Sequence, residues 1–250
     1  MKVTSVDELQ QQLQELGIKS GDAVMVHASL RAIGPTEERA AGLVKALLHA
    51  LGEEGTLLAY VDFEPTSELP YFDPERSPAC FEHGVLAEVI RGWPGAIRSL
   101  NPGASVSAVG GKAQWFCEGH PKDYGYGPGS PFAKLVETEG YVLLLGAHLE
   151  HVTMLHHAEH CALLPNKRII RRMDKCLMNG VVTDVETEEY DTSEPVITDM
   201  PEAYFSQVTR AFLSKGLAKS GPVGQVRSYL LPAADFVAFA IESMERDFGL

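Results

Sequence analysis

The sequence has no apolar run approaching the ~20 residues that a membrane-spanning helix requires. Its first seventeen residues are rich in glutamine, aspartate and glutamate and lack the apolar core of a secretory signal. Both absences predict a cytoplasmic protein with no membrane partner. The four cysteines, Cys80, Cys117, Cys161 and Cys176, are widely scattered and form no CxxC pair. In a chain of 250 residues they predict reduced, buried structural thiols rather than a disulfide framework. Basic residues are scarce: 21 Lys and Arg stand against 34 Asp and Glu, a net charge of −13. Binding to nucleic acid needs a basic surface, so the composition argues against it. The same acidic surplus suits attraction of a polycationic ligand. No internal repeat, low-complexity tract or linker appears, so residues 1–250 are expected to form one domain.

The apolar share, 45%, is enough to build a core without metal or disulfide staples. Ser5 to Glu8 reads as a capping box, followed by Leu9, Leu13 and Leu16 on one helical face and a stop at Gly17. A short buried strand runs from Ala23 to Val26 and ends at His27. Residues 39–51 form the next amphipathic helix, closed by Gly52, and Thr56 to Val61 the next strand. This alternation predicts an α/β layer architecture. Residues 62–80, rich in Pro, Glu and Asp, read as a long and therefore functional loop. Strands are expected at 105–109 and 141–146, and helices at 84–92, 130–137, 202–214 and 232–246. Asn179 and Gly180 mark a hairpin between 169–176 and 181–187.

The densest chemistry follows the strand that begins at Tyr141. Five histidines lie within thirteen residues: His148, His151, His156, His157 and His160. They sit at the carboxyl end of a strand, where α/β sheets usually bind ligands. Thr153 reads as a helix N-cap, which puts His156 in the first turn and Glu159 one turn later on the same face. A carboxylate so placed can hold an imidazole in one orientation while its other nitrogen accepts a proton. The same residues, from His156 to His160, also match HxxEH, the inverted zinc-peptidase motif. That reading needs a third ligand, which the acidic stretch 184–191 could offer. Ser29 could be read as a hydrolase nucleophile, but it lacks the G-x-S-x-G context.

Residues Val24 to Gly34 resemble the signature of the antibiotic N-acetyltransferases, the aminoglycoside 3-N-acetyltransferase family, which is distinct from the GNAT-type acetyltransferases. The resemblance recurs in order at Phe72–Pro78, Arg98–Ser105, Gly127–Phe132, Leu143–Ala147, Val152–Glu159, Pro165–Arg168, Glu189–Asp191 and Gly221–Gly224. It covers essentially residues 5–250. Against so many ordered motifs, HxxEH reads as a coincidence created by His160. The resemblance implies a single-domain α/β fold whose mixed, partly parallel sheet is flanked by helices. It implies acetyl transfer from acetyl-CoA to an aminoglycoside amine, N3 of the 2-deoxystreptamine ring. His156 would be the general base and Glu159 its partner. His27, Ala28, Ser29, Leu30 and Arg31 would bind coenzyme A, with Arg31 on a phosphate. Ser105, Val106, Ser107, Ser130, Pro131 and Phe132 would line the pantetheine and thioester region. Read locally, Ser130 and Pro131 form a helix cap followed by proline at the first helical position. Asp62, Glu64, Glu189 and Asp191, taken as loop residues beside an acidic cleft, would hold the drug's ammonium groups. No metal is implied, and the chain would act as a monomer or homodimer. An acetyltransferase for another amine metabolite and a non-catalytic polyamine binder are the remaining alternatives.

The sequence departs from the family at Asn101, where the family often carries histidine; asparagine keeps hydrogen-bonding ability but does not titrate near neutral pH. Glu150 replaces a residue that is often neutral. His157 and His160 also differ from the common pattern.

Overall fold

The fold is that of a computed structural model, which describes residues 3–249. Met1, Lys2 and Leu250, the ends of the expected domain, lie outside the described residues. In chain order the elements are α1 (Val6–Leu16), β1 (Ala23–Ala28), α2 (Leu30–Ile33), α3 (Arg39–Leu51), β2 (Thr56–Tyr60), α4 (Gly84–Arg91), β3 (Ile97–Arg98), β4 (Val106–Gly110), α5 (Ala113–Cys117) and α6 (Pro131–Glu137). They continue with β5 (Tyr141–Leu145), α7 (Met154–Cys161), β6 (Ile169–Met178), β7 (Val181–Tyr190), α8 (Tyr204–Ser214), β8 (Lys219–Val223), β9 (Val226–Pro232) and α9 (Ala233–Phe248).

Seven strands form one mixed sheet in the order β3-β4-β2-β1-β5-β9-β8. β1 pairs in parallel with β2 and β5, and the outer pairs are antiparallel. Alternation along the central strands divides the core in two. Val24, Val26, Leu57, Ala59, Leu143 and Leu145 face α1, α3 and α4. Met25, Leu58, Val142 and Leu144 face the residues of α6, α7, α8 and α9 that include Phe132, Leu155, Phe212 and Phe236. Both faces of the central strands are therefore apolar, as strands covered on both sides require. None of the helices among the described residues is long and apolar enough to cross a membrane.

Several local readings hold in detail. Ser5 and Glu8 complete their capping box, and Gly17 closes α1 in the left-handed region at φ 118°. Asn179 and Gly180 both adopt positive φ and turn β6 into β7. Other readings need correction. Thr153 precedes α7 but lies in helical geometry and makes no side-chain capping bond. A 3-10 turn at Leu149–His151 leads into the helix, and the carbonyls of Val152 and Thr153 accept from Leu155 and His156. Of the four free cysteines, Cys117 and Cys176 are buried, but Cys161 is exposed and Cys80 is half-buried. β8 and β9 escape the sequence reading because Gly221 and Pro222 look like strand breakers. Proline is tolerated there because β8 is an edge strand.

His120 shows how polar groups are built into this core. Its Nε2 donates to the Gly125 carbonyl at 2.7 Å, and its Nδ1 lies 2.8 Å from the Ser99 hydroxyl. The Ser99 oxygen also accepts from the Val106 amide at 2.9 Å. The Ser99 proton is thus free to point at Nδ1, which suits a neutral ring. Burial pushes the His120 pKa down from 6.5 to about 4. Between those values the unfolded chain binds a proton that the folded chain refuses, so stability falls as pH drops. The expected loss is about 1.4 kcal/mol per pH unit from this group. Urea melts at pH 7 and pH 4.5 should show a shallower acid dependence in His120→Gln than in the parent. Equal slopes would remove His120 from the acid response.

Candidate active site

The three parallel strands end at one edge, and the segments that leave their carboxyl ends build the site. β1 ends at His27 and Ala28, β2 at Tyr60, and β5 at Leu145, where Gly146 turns the chain at φ 63°. A Cβ on Gly146 would sit 2.7 Å from that of Ala32, so both the turn and the close approach call for glycine. Two adjoining cavities open here. The smaller, about 200 Å³, is lined by Val26 to Ser29, Leu86, Ala87, Ala147 and His148. The larger is a cleft of about 610 Å³ that contains His156, Glu159, Tyr126, Arg172 and Phe205. Tyr60, Glu82, His83, His151 and Thr153 line both.

His156 stands in the cleft wall with its Nδ1 2.7 Å from Glu159 Oε2. Glu159 is buried, whereas the imidazole is partly open. With a carboxylate oxygen as its partner, Nδ1 is the donating nitrogen, and Nε2 stays outside that bond. The ring lies between Tyr126 and Phe205, with centroids at 5.1 and 5.0 Å. Packing and hydrogen bond together fix its orientation.

Tyr126 and Tyr60 share a 2.7 Å hydrogen bond, and Tyr60 donates to the Gly103 carbonyl at 3.1 Å. Burial raises both phenol pKa values, so both stay neutral. His27 presents an Nε2 that is buried without a partner. Burial, then the neighbouring His83 and His151, lower its pKa to about 4, so the ring is neutral at the smaller cavity.

The cleft is acidic. Asp62, Glu82, Glu150, Glu159, Glu189, Asp191, Glu194 and Glu202 line it, with Arg172 as the opposing cation in the lining. Their availability differs. Asp191 binds the Ser193 amide and hydroxyl and lies 3.1 Å from Arg168. Desolvation opposes ionisation there, but Ser193 and Arg168 prevail and hold the carboxyl below its ordinary pKa. Glu189 sits on β7 rather than on a loop, because the hairpin extends to Tyr190. Its oxygens accept from the Gly125 and Tyr190 amides, and burial raises its pKa. Glu64 is exposed, lines neither cavity, and meets the Cys80 thiol at 3.6 Å.

The residues expected around coenzyme A separate into two groups. His27, Ala28 and Ser29 line the smaller cavity, with the Ser29 hydroxyl capping α2 through the Ala32 amide. Leu30 packs against the core behind it, and Arg31 is exposed outside both cavities. Ser105, Val106, Ser107, Ser130, Pro131 and Phe132 are buried and line neither cavity. Ser105 is held by Arg98 and the Val61 carbonyl, and Ser130 caps the Ala133 amide. Phe132 supports Tyr60 and Tyr126 from beneath. The Ser107 hydroxyl is buried without a partner. Asn101 has no acid-base setting: its amide donates to the carbonyls of Pro121 and Lys122 and accepts from Gly103 and Ala104.

The sequence profile of the aminoglycoside 3-N-acetyltransferases matches residues 25–245. The chain belongs to this family. It is 38% identical to aminoglycoside N(3)-acetyltransferase III of Pseudomonas aeruginosa over 252 aligned positions, covering 94% of this chain and 92% of that one. Among solved structures it is similar to AAC-IIIb in a binary complex with CoASH, at a TM-score of 0.96 and 40% identity, covering 99% and 98% of the two chains. It is also similar to AAC-VIa bound to sisomicin, at a TM-score of 0.92 and 35% identity over the full length of both. As a family member this acetyltransferase is an acyltransferase that uses acetyl-CoA as co-substrate. The zinc-peptidase reading of HxxEH is thereby overturned. Glu159 is committed to His156, and His160 stacks on Tyr124 and Tyr190 outside the cleft.

The five clustered histidines thus have separate fates. His148 and His151 border the smaller cavity, His156 faces the cleft, and His157 donates to the Tyr126 carbonyl at 2.6 Å. Tyr60, Tyr126, Phe205 and His83 complete the site without having been marked in the sequence. The one usable signal was Tyr60, an aromatic at the carboxyl end of a predicted parallel strand.

Proposed function

We propose that this chain acetylates an aminoglycoside at N3 of the 2-deoxystreptamine ring by direct transfer, with His156 as general base. The carrying observation is the His156–Glu159 pair in the wall of an acidic cleft that adjoins a second, smaller cavity. The cleft takes the polycationic acceptor. The smaller cavity takes the acyl end of acetyl-CoA, where the unpartnered His27 Nε2 would gain a polar partner. Ser105 to Ser107 and Ser130 to Phe132 act from beneath, by holding the strand and the aromatic floor in place.

Acetyl-CoA supplies an acetyl group activated as a thioester. Asp62 and Asp191 draw the ammonium groups into the cleft. His156 Nε2 takes the proton of the N3 amine as its nitrogen bonds to the acyl carbon. Glu159 stabilises the resulting imidazolium through Nδ1. The imidazolium then returns the proton to the departing thiolate, giving the amide and free coenzyme A. Acetylation removes a positive charge and a donor from the drug, weakening its grip on ribosomal RNA phosphates and conferring resistance.

Release of coenzyme A thiol with gentamicin, tobramycin or apramycin tests the reading; no release with any of them, or with other aminoglycosides, would end it. Asp62→Asn and Asp191→Asn should each raise the drug KM about 10- to 100-fold, the cost of a lost charge-assisted hydrogen bond. kcat and the KM for acetyl-CoA should change little. Unchanged drug KM values would remove these carboxylates from the acceptor site.

A further inference from the structure

Beside the rim shared by the two cavities stands a cluster of donors of which only Asp62 has a place in the transfer proposed above. An Asp62 carboxylate oxygen, the Cys80 sulfur and a His83 ring nitrogen all lie within 4.8 Å of one another. His83 Nε2 already pairs with Asp62 Oδ1, and Glu64 Oε2 lies 3.6 Å from Cys80 Sγ. All come from the segment that leaves β2 and enters α4. We propose that Asp62, Cys80 and His83, with Glu64 as fourth donor, bind a divalent transition-metal ion of the zinc class.

The donor set is the first argument. One sulfur, one imidazole and carboxylate oxygens suit zinc, whereas calcium and magnesium take oxygen alone. Geometry is the second. Zinc bonds of about 2.0–2.3 Å place donors about 3.3–3.8 Å apart on a tetrahedron. With the three donors already within 4.8 Å of one another, the Cys80 sulfur has to draw in by no more than about 1.5 Å, and His83 has to part from Asp62. Rotation of half-buried side chains provides both motions, since the backbone is already in place. The Cys80 amide donates to the Asp62 carbonyl at 3.0 Å, and the His83 amide to the Cys80 carbonyl at 3.1 Å. Arg98 clamps the same segment by donating to the carbonyls of Val61 and Ser77. The ring of His83 rests edge-on against Tyr60 with centroids 4.6 Å apart.

Charge is the third argument. Two carboxylates, Asp62 and Glu64, stand beside the Cys80 sulfur, and a cation placed among the donors offsets their charge. On binding, the Cys80 sulfur forms a bond to the metal and its proton passes to solvent.

The ion would occupy Asp62 and place positive charge at the mouth of a cleft that attracts ammonium groups. It is therefore an inhibitor competitive with the drug. That consequence rests on the acceptor role of Asp62 proposed above; metal binding itself does not.

The test uses the full chain in metal-free buffer without added thiols, titrated with Co²⁺ alone and then with Zn²⁺. One equivalent of Co²⁺ should produce a thiolate-to-cobalt charge-transfer band, which Zn²⁺ then abolishes. Cys80→Ser should remove the band, and His83→Gln should weaken Co²⁺ binding at least 10-fold. Cys161→Ser should keep the band, because that exposed thiol lies elsewhere. No band at one equivalent, or a band that survives Cys80→Ser, overturns the proposal. Acetylated drug, read by mass spectrometry because zinc also captures the coenzyme A thiol, reports inhibition. Zn²⁺ should raise the apparent drug KM in the parent and not in Cys80→Ser. Stoichiometric binding without inhibition would uphold the metal site and remove Asp62 from acceptor binding.

Discussion

His156→Ala is expected to lower kcat about 100- to 10,000-fold, the usual contribution of a positioned general base. Both Michaelis constants should stay within a few-fold, because the imidazole acts on the proton being transferred and not on the bound ground state. The fold should survive. His156 lies in the cleft wall, partly open, and supports no backbone beyond its own helix. Stability will still fall, since Glu159 is buried and loses the partner that holds its Oε2. An unsatisfied buried acceptor costs about 1–3 kcal/mol. A thermal melt should therefore show a modest drop beside the large kinetic loss. A kcat within about fivefold of the parent would end the general-base assignment.

Glu159→Gln is expected to cost on the order of 100- to 10,000-fold in kcat, as for a carboxylate-to-amide change behind a catalytic histidine. The side chain keeps its shape, so packing is not the cause. The carboxylate can only accept, which keeps the proton on Nδ1 and leaves Nε2 basic. An amide can donate to Nδ1 and force the proton onto Nε2, the wrong tautomer. It also no longer offsets the charge that the ring gains. If the two residues act as one unit, the double variant should be no slower than His156→Ala alone. Multiplied losses in the double variant would show that Glu159 works independently of the imidazole.

This pairing was legible because it is local: three residues in one helix fix the geometry whatever the rest of the chain does. The α1 capping box and the Asn179–Gly180 turn were legible for the same reason. The rest of the site comes from distant segments. Tyr60 ends a strand, Tyr126 lies in a loop and Phe205 on α8, and only the folded sheet brings them around His156. Buried hydroxyls were the hardest to interpret. The family resemblance assigns Ser105 and Ser130 to the coenzyme A site; the local reading of Ser130 as a helix cap before proline holds, and Ser105 bonds Arg98 and the Val61 carbonyl. The thiols of Cys80 and Cys161 were expected to be buried, but Cys80 lies in the loop between β2 and α4, and Cys161 is exposed at the last residue of α7.

The long hairpin of β6 and β7 lies outside the central sheet and forms a separate two-stranded sheet. It touches the body through a Phe72–Cys176 bridge and through bonds from Tyr124 and Gly125 to Glu188 and Glu189. Ile170, Arg172, Glu189 and Tyr190 on it supply much of the cleft's outer wall. On the function proposed above, the His156–Glu159 pair and the smaller cavity are rooted in the seven-stranded body, whereas the acceptor would also meet this hairpin. Substitutions on the hairpin would then change which acceptors fit while leaving the His156–Glu159 pair untouched, a division of labour between the two sheets.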